Sequence, residues 1–229
     1  METESIIFLN QIPIYQKNIL VLSDVSLEVT RGEFVYLIGK TGSGKSSLLK
    51  MLYADIPVLD GEANVVGFDL KNLKRKNIPF LRRKLGVVFQ DFQLLTDRTV
   101  NENLLFIMRA TGWKDKAAMK DRLEEVLIKV GLVTKGEKMP NQLSGGEQQR
   151  IAIARALINK PEIILADEPT GNLDPETSEG IIRLLMDISK SGRAVLMATH
   201  NYVLIEQYPS RILKCEYGKV SPLEIEINK

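Results

Sequence analysis

The sequence predicts an α/β fold: a mostly parallel sheet covered on both faces, a β subdomain of strands in the opening third, and a helical subdomain inserted between two parts of the core. Three observations predict it. Short apolar runs that read as buried strands recur along the chain, among them FVYLI, EIILAD and AVLMAT. Helical patterns separate those runs, and strands alternating with helices pair in parallel. From about Thr99 to Asn159 the pattern is helical throughout, so this stretch reads as an insertion.

The elements follow in order. SDVSLEVT alternates apolar and polar residues up to a turn at Arg31-Gly32, as a half-buried strand does. The run Phe34 to Ile38 stops at Gly39, and a helical pattern carrying Leu48, Leu49 and Leu52 begins near Lys45. LGVVFQ reads as a strand that ends on the polar Gln90. Three helices are expected near 99–110, 115–131 and 145–159, punctuated by Gly112, Gly131 and Gly136. After Pro161 comes the strand EIILAD, then a helix near 175–190 and the strand AVLMAT. One domain, 1–229, is expected. Residues 1–91 and 159–229 form its core with the β subdomain, and 92–158 form the insertion.

Composition narrows the classes of function. With 44% hydrophobic and 26% charged residues the chain is expected to be globular. A net charge of +2 argues against binding nucleic acid by broad phosphate neutralisation, and no nucleic-acid partner is expected. The single Cys215 excludes an intrachain disulfide and fits a reducing compartment. The opening METESIIFLN carries glutamates where a secretory signal has basic residues. No apolar run reaches the roughly eighteen residues that span a bilayer. A cytosolic chain is expected, reaching a membrane only through a partner.

GKTGSGKS, Gly39 to Ser46, matches G-x-x-x-x-G-K-[ST] between a strand and a helix. Glycines let the backbone wrap a polyphosphate, so that successive N–H groups and the helix N-terminus face the anion. Lys45 adds a point charge for the β- and γ-phosphates, and the Ser46 hydroxyl is a ligand for Mg²⁺. ATP is therefore the expected substrate and Mg²⁺ its metal. At the end of EIILAD, Asp167 is the second metal contact and Glu168 the base for an attacking water. His200, the only histidine, closes another strand end where an imidazole reaches the γ-phosphate.

QLSGGEQQRIAIARAL poses a separate question. Ser144 and Glu147 match a capping box, which accounts for both. It does not account for Gly145 and Gly146, since each glycine in a first helical turn costs about 1 kcal/mol relative to alanine. Their presence suggests close approach of an anion to the helix start. A two-fold dimer answers the question: Ser144, Gly145 and Gly146 of one chain close over the γ-phosphate held by Lys45 of the other.

Together GKTGSGKS, LSGGEQQR, LADEPTGNLD and ATH resemble the nucleotide-binding domain of the ABC ATPases over nearly the whole chain. The resemblance implies a P-loop NTPase core of the RecA-like type with a mostly parallel sheet, an N-terminal antiparallel β subdomain and an inserted helical subdomain. Its nucleotide cradle would comprise Gly39, Lys40, Thr41, Gly42, Ser43, Gly44, Lys45, Ser46 and Ser47, with Tyr15 stacked on adenine. It also implies that Asp174, with Asn172 and Leu173, forms a D-loop crossing the dimer interface. Gln90 would sense Mg²⁺ and couple to a transmembrane partner. A narrower similarity, in IPFLRRKLGVVFQDFQLLTDRTVNENL and NKPEIILADEPTGNLDPETSEGIIRLL, is to the FtsE family of bacterial cell-division ATPases. That similarity implies a homodimer in the ATP-bound state at the cytoplasmic face of the inner membrane. An FtsX-like integral membrane subunit would transmit motion to wall hydrolases. Lipoprotein-releasing and macrolide-export ATPases share ADEPTGNLD and are the alternative. The basic stretch 71–84 is a solvated face or a contact with anionic lipid. A chromosome-maintenance ATPase is disfavoured because no long heptad run is present, and a two-cassette factor because only one motif set is.

Overall fold

The computed structural model describes residues 4–223. The chain opens with β1 (Ser5–Gln16) and β2 (Ile19–Thr30), an antiparallel hairpin in which Tyr15 faces Leu20 across the ladder. Every residue of β3 (Phe34–Ile38) is buried. It leads through the glycine loop into α1 (Lys45–Leu52), then into the short strands β4 (Glu62–Val65) and β5 (Phe68–Asp69). Next come α2 (Ile78–Arg83), β6 (Leu85–Val88) and three successive helices, α3 (Val100–Ala110), α4 (Lys116–Val130) and α5 (Gly145–Leu157). The chain then returns through β7 (Ile163–Asp167), α6 (Pro175–Lys190), β8 (Ala194–Thr199) and α7 (Tyr202–Gln207) to the hairpin β9 (Arg211–Glu216) and β10 (Lys219–Leu223).

The ten strands among the described residues join one sheet, in the order β5-β4-β1-β2-β10-β9-β3-β8-β7-β6. The half from β9 to β6 is parallel, and the N-terminal strands are antiparallel, as the sequence predicts. The join between the halves is not legible from sequence. β10 pairs antiparallel with β9 and parallel with β2, so the end of the described chain links the N-terminal hairpin to the core.

Alternation along β3 divides the interior into two layers. Val35 and Leu37 pack with β1, β2 and α1 on one face, while Phe34, Tyr36 and Ile38 pack with α3, α5 and α6 on the other. The three middle helices have strong local stops. Thr99 and Glu102 form a reciprocal capping box on α3, Asp115 caps α4, and Gly131 at φ 74° ends it. The buried Arg122 of α4 donates to the carbonyls of Leu157 and Ile158, satisfying the C-terminus of α5 while pairing with Glu125.

Parallel pairing fixes the location of the chemistry. Ile38 is in register with Thr199, Asp167 with Ala198, and Val88 with Ala166. The C-terminal ends of β3, β8, β7 and β6 therefore finish nearly flush, and the residues that follow them emerge along one edge.

Candidate functional site: a phosphate cradle at the strand ends

The loop after β3 is shaped by its glycines. Gly42 sits at φ 81° with open space where a side chain would be, so the backbone there is bare toward a ligand. At Gly39 a methyl group would collide with the Cys215 carbonyl and Ser43 Oγ, so β9 backs the loop directly. α1 begins without a side-chain cap, which leaves its first N–H groups free for an anion. Lys45 is almost buried, and its Nζ donates to the carbonyls of Gly39 at 2.7 Å and Lys40 at 3.3 Å. Lys40, Thr41 and Ser46 are exposed along the same loop, and Ser47 is buried beneath it. Val21 and Leu22 of β2 pack on Gly44, placing the end of the hairpin that carries Tyr15 beside the cradle.

Adjacent carboxylates on a strand normally face opposite sides. Here Glu168 adopts φ 48°, a left-handed conformation that costs a non-glycine residue about 1–3 kcal/mol, and the pleat ends there. Its N–H is held by the Ala198 carbonyl at 2.9 Å. The turned side chain places Oε1 3.5 Å from Lys45 Nζ and Oε2 2.9 Å from His200 Nδ1, and Oε2 also accepts from the His200 N–H at 3.3 Å. Thus Glu168, Lys45 and His200, brought in by three different strands, form one contiguous group.

Asp167 stays under the loop. Burial raises its carboxyl above the usual range, while Ser46 pulls it down, Glu168 pushes it up again and Lys45 pulls it down. Its Oδ1 is buried without a hydrogen-bond partner, as is Ser43 Oγ. An unpartnered carboxylate oxygen beside a serine hydroxyl suits a hard cation that takes oxygen ligands. No cluster of three or more His, Cys, Asp or Glu suited to a metal occurs among the described residues. One or two protein oxygens completed by nucleotide phosphates is the pattern by which Mg²⁺ is held. The residues present therefore fit both ATP and Mg²⁺.

Gln90 follows β6, with its amide turned toward the segment after Glu168. Its Nε2 donates to Asn172 Oδ1 at 3.2 Å, and Asn172 Nδ2 returns to the Gln90 carbonyl at 3.4 Å. Asp174 is the N-cap of α6, accepting from the Thr177 N–H at 2.9 Å, and the Thr177 hydroxyl together with that N–H holds its carboxyl below the usual value.

Ser144 and Glu147 form the expected capping box, with Glu147 N to Ser144 Oγ at 3.2 Å and Ser144 N to Glu147 Oε2 at 2.9 Å. Gly146 has an internal reason that sequence reasoning missed. Gly146 is buried, and a methyl there would overlap the γ-methyl of Thr177. A methyl on Gly145 would lie 3.3 Å from Leu173 Cδ2 and 3.7 Å from Phe92 Cζ. Packing against Thr177 thus requires glycine at 146, whereas at 145 a methyl would need only a small shift of the Leu173 side chain. Thr177 and Arg155 were likewise missed as neighbours of the site, as was the pairing of Asn172 with Gln90, because nothing local marks contacts made across tens of residues.

A family profile described as ABC transporter matches residues 22–171. The cell division ATP-binding protein FtsE of Streptococcus pneumoniae is 46% identical over 206 residues, covering 90% of this chain and 89% of that one. FtsE of Bacillus subtilis is 44% identical over 204 residues, covering 89% of each chain. The dimeric post-hydrolysis structure of the ATP-binding cassette MJ0796, bound to ADP and Pi, has a TM-score of 0.82 at 33% identity and covers 95% of this chain and 98% of that one. With its phosphate loop, carboxylate pair and capped glycine helix on this sheet, the chain belongs to the ABC transporter ATPases and, among them, to the FtsE family of cell-division ATP-binding proteins.

Proposed function

We propose that the chain is the ATP-hydrolysing subunit of an FtsEX-type membrane complex in cell division. As an ATP-bound homodimer it transmits conformational change through an FtsX-like integral membrane subunit to enzymes that cut the cell wall. The observation that carries the chemistry is Glu168 held between Lys45 and His200 at the flush strand ends.

ATP lies with its phosphates in the loop Gly39–Ser47 and its adenine on Tyr15. Lys45 leaves the Gly39 and Lys40 carbonyls for the β- and γ-phosphates, which releases one oxygen of Glu168. That oxygen takes a proton from water as the water oxygen bonds to the γ-phosphorus in line with the departing ADP oxygen. His200 steadies the γ-phosphate, and Ser144, Gly145 and Gly146 of the second chain close the far side. Ser46, Asp167 and Gln90 are the residues that would hold Mg²⁺, which supplies charge neutralisation for the phosphate oxygens when bound. Asp174 stands at the dimer face, and 92–158 acts as the helical subdomain that presents Ser144.

For the partner's cytoplasmic segment we propose the groove between α2, α3 and α5, a cavity of about 610 Å³ lined by Ile78, Pro79, Val87 and Ile107 and charged by Arg82, Arg83 and Arg155. Phe80 and Phe106 stand exposed on the neighbouring helices, and β6, which forms one wall, leads to Gln90. Within the basic stretch, Lys71 pairs with Asp60, Arg82 with Asp55 and Lys84 with Glu162. Lys74, Arg75 and Lys76 are exposed and form no ion pair among the described residues, so the lipid contact falls to them at the cytoplasmic face of the membrane.

The test is a tagged Glu168→Gln variant purified from host membranes in mild detergent with Mg-ATP. It should bind ATP, turn over about 10²- to 10⁴-fold slower, and remain a dimer. Mass spectrometry should find one kind of integral membrane subunit with a large extracytoplasmic domain. Lipoprotein-release or export subunits would instead assign the chain to those systems, and wild-type turnover would remove Glu168 as the base.

A further inference from the structure

Two consecutive non-glycine residues in the segment after Gln90 are left-handed: Phe92 at φ 57° and Gln93 at φ 49°. Each is costly in isolation, and two together persist only where something holds them. Arg155, near the end of α5, is what holds them. It donates from one terminal nitrogen to the Phe92 carbonyl at 2.8 Å and from the other to the Gln93 carbonyl. Burial pushes its guanidinium pKa down and the nearby Asp91 carboxylate raises it in part. A half-buried cation whose hydrogen bonds go only to these two main-chain carbonyls commits both prongs of its planar fork to the turn.

The contacts close a ring. Arg155 holds residues 92 and 93; Gln90 exchanges hydrogen bonds with Asn172; Phe92 and Leu173 both pack on Gly145, at the opposite end of α5 from Arg155. The start of the helix that carries Ser144, the turn that carries Gln90 and the segment that carries Asp174 are thus joined within one chain.

We propose that Arg155 is a positioning residue for Gln90: its two-pronged grip on the carbonyls of Phe92 and Gln93 fixes the turn that sets where the glutamine amide reaches. The proposal rests on the role given to Gln90 above. Arg155 acts through the turn and is assigned no contact with the reacting atoms.

Arg155→Lys tests this, because lysine keeps the charge and much of the stem but lacks the planar fork. Hydrogen–deuterium exchange of the purified chain without nucleotide should become about tenfold faster in peptides spanning 89–95 and stay unchanged in β3 and α1, as expected for losing one charge-assisted bond. Steady-state ATPase assays should give a kcat about tenfold lower, an unchanged KM for ATP, and a higher Mg²⁺ concentration for half-maximal rate. Adding Gln93→Gly, which accepts the left-handed turn freely, should restore part of the rate. Unchanged exchange across 89–95 would overturn the proposal. So would a uniform increase over the whole chain with no rescue by Gln93→Gly, the mark of a merely destabilised fold. Local loosening with wild-type kcat and Mg²⁺ dependence would leave the grip intact and remove Gln90 from the reaction instead.

Discussion

Alanine at Gly146 separates two reasons for a glycine. The added methyl would overlap Thr177 Cγ2, while Thr177 Cβ and Oγ1 stay 3.6 Å away, in ordinary contact. The whole clash therefore lies with one methyl group on α6. Gly146 is buried and α5 packs along β6 and α6, so the helix has no free direction in which to retreat. Overpacking of this kind costs about 1–3 kcal/mol, and the higher helix propensity of alanine offsets about 1 kcal/mol. The net loss is about 1 kcal/mol, or roughly 2–4 °C in Tm for a domain of this size. Thr177→Ser removes the offending methyl and keeps the main-chain N–H that Asp174 accepts from. The double variant Gly146→Ala/Thr177→Ser should then regain the lost stability and show the propensity gain. Thermal unfolding followed by circular dichroism reads the stabilities, and steady-state phosphate release reads the rate. Recovered Tm with recovered turnover means that the glycine serves intrachain packing. Recovered Tm with turnover still depressed means that the bare backbone also faces the second chain's nucleotide. A Gly146→Ala effect on Tm that is independent of residue 177 would refute the packing argument.

Two further predictions follow from ionisable groups. Burial raises the Asp167 carboxyl in the folded chain, so its charged form costs stability above that pKa and costs nothing once both folded and unfolded forms are protonated, below about pH 4. Asp167→Asn should therefore raise Tm at pH 7 without nucleotide, lose that gain as the pH falls to about 4, and lower Mg²⁺-dependent turnover; an unchanged Tm at pH 7 would contradict the reasoning. Cys215 is 1% exposed and burial pushes its thiol up to about 11, so a thiol-exchange reagent at neutral pH should label it at least about tenfold more slowly in the native chain than in urea. Prompt labelling in native buffer would show that β9 opens away from the phosphate loop.

Legibility in the sequence followed the range of the interaction. The glycine loop, the helix it opens and the buried strands could be read because each is written in neighbouring residues: a turn that needs glycine, a 3.6-residue period, a short apolar run. The capping boxes at Thr99 and Ser144 could be read for the same reason, since both partners lie three residues apart; only the second was singled out. The short helices α2 and α7 and the β9–β10 hairpin carry weak local patterns and went unresolved.

By itself the sequence determined that this chain folds as an α/β ATPase with a phosphate loop after β3, a carboxylate pair after β7 and a histidine after β8. Tertiary structure alone decided how those parts meet. Flush parallel registers put Glu168 between Lys45 and His200, β10 joined the two halves of the sheet, and packing set Gly146 against Thr177 and Gln90 against Asn172. The physical reason is that burial and register bring together groups separated by tens to more than a hundred residues, and such contacts depend on the whole packed fold and leave no mark on either local segment.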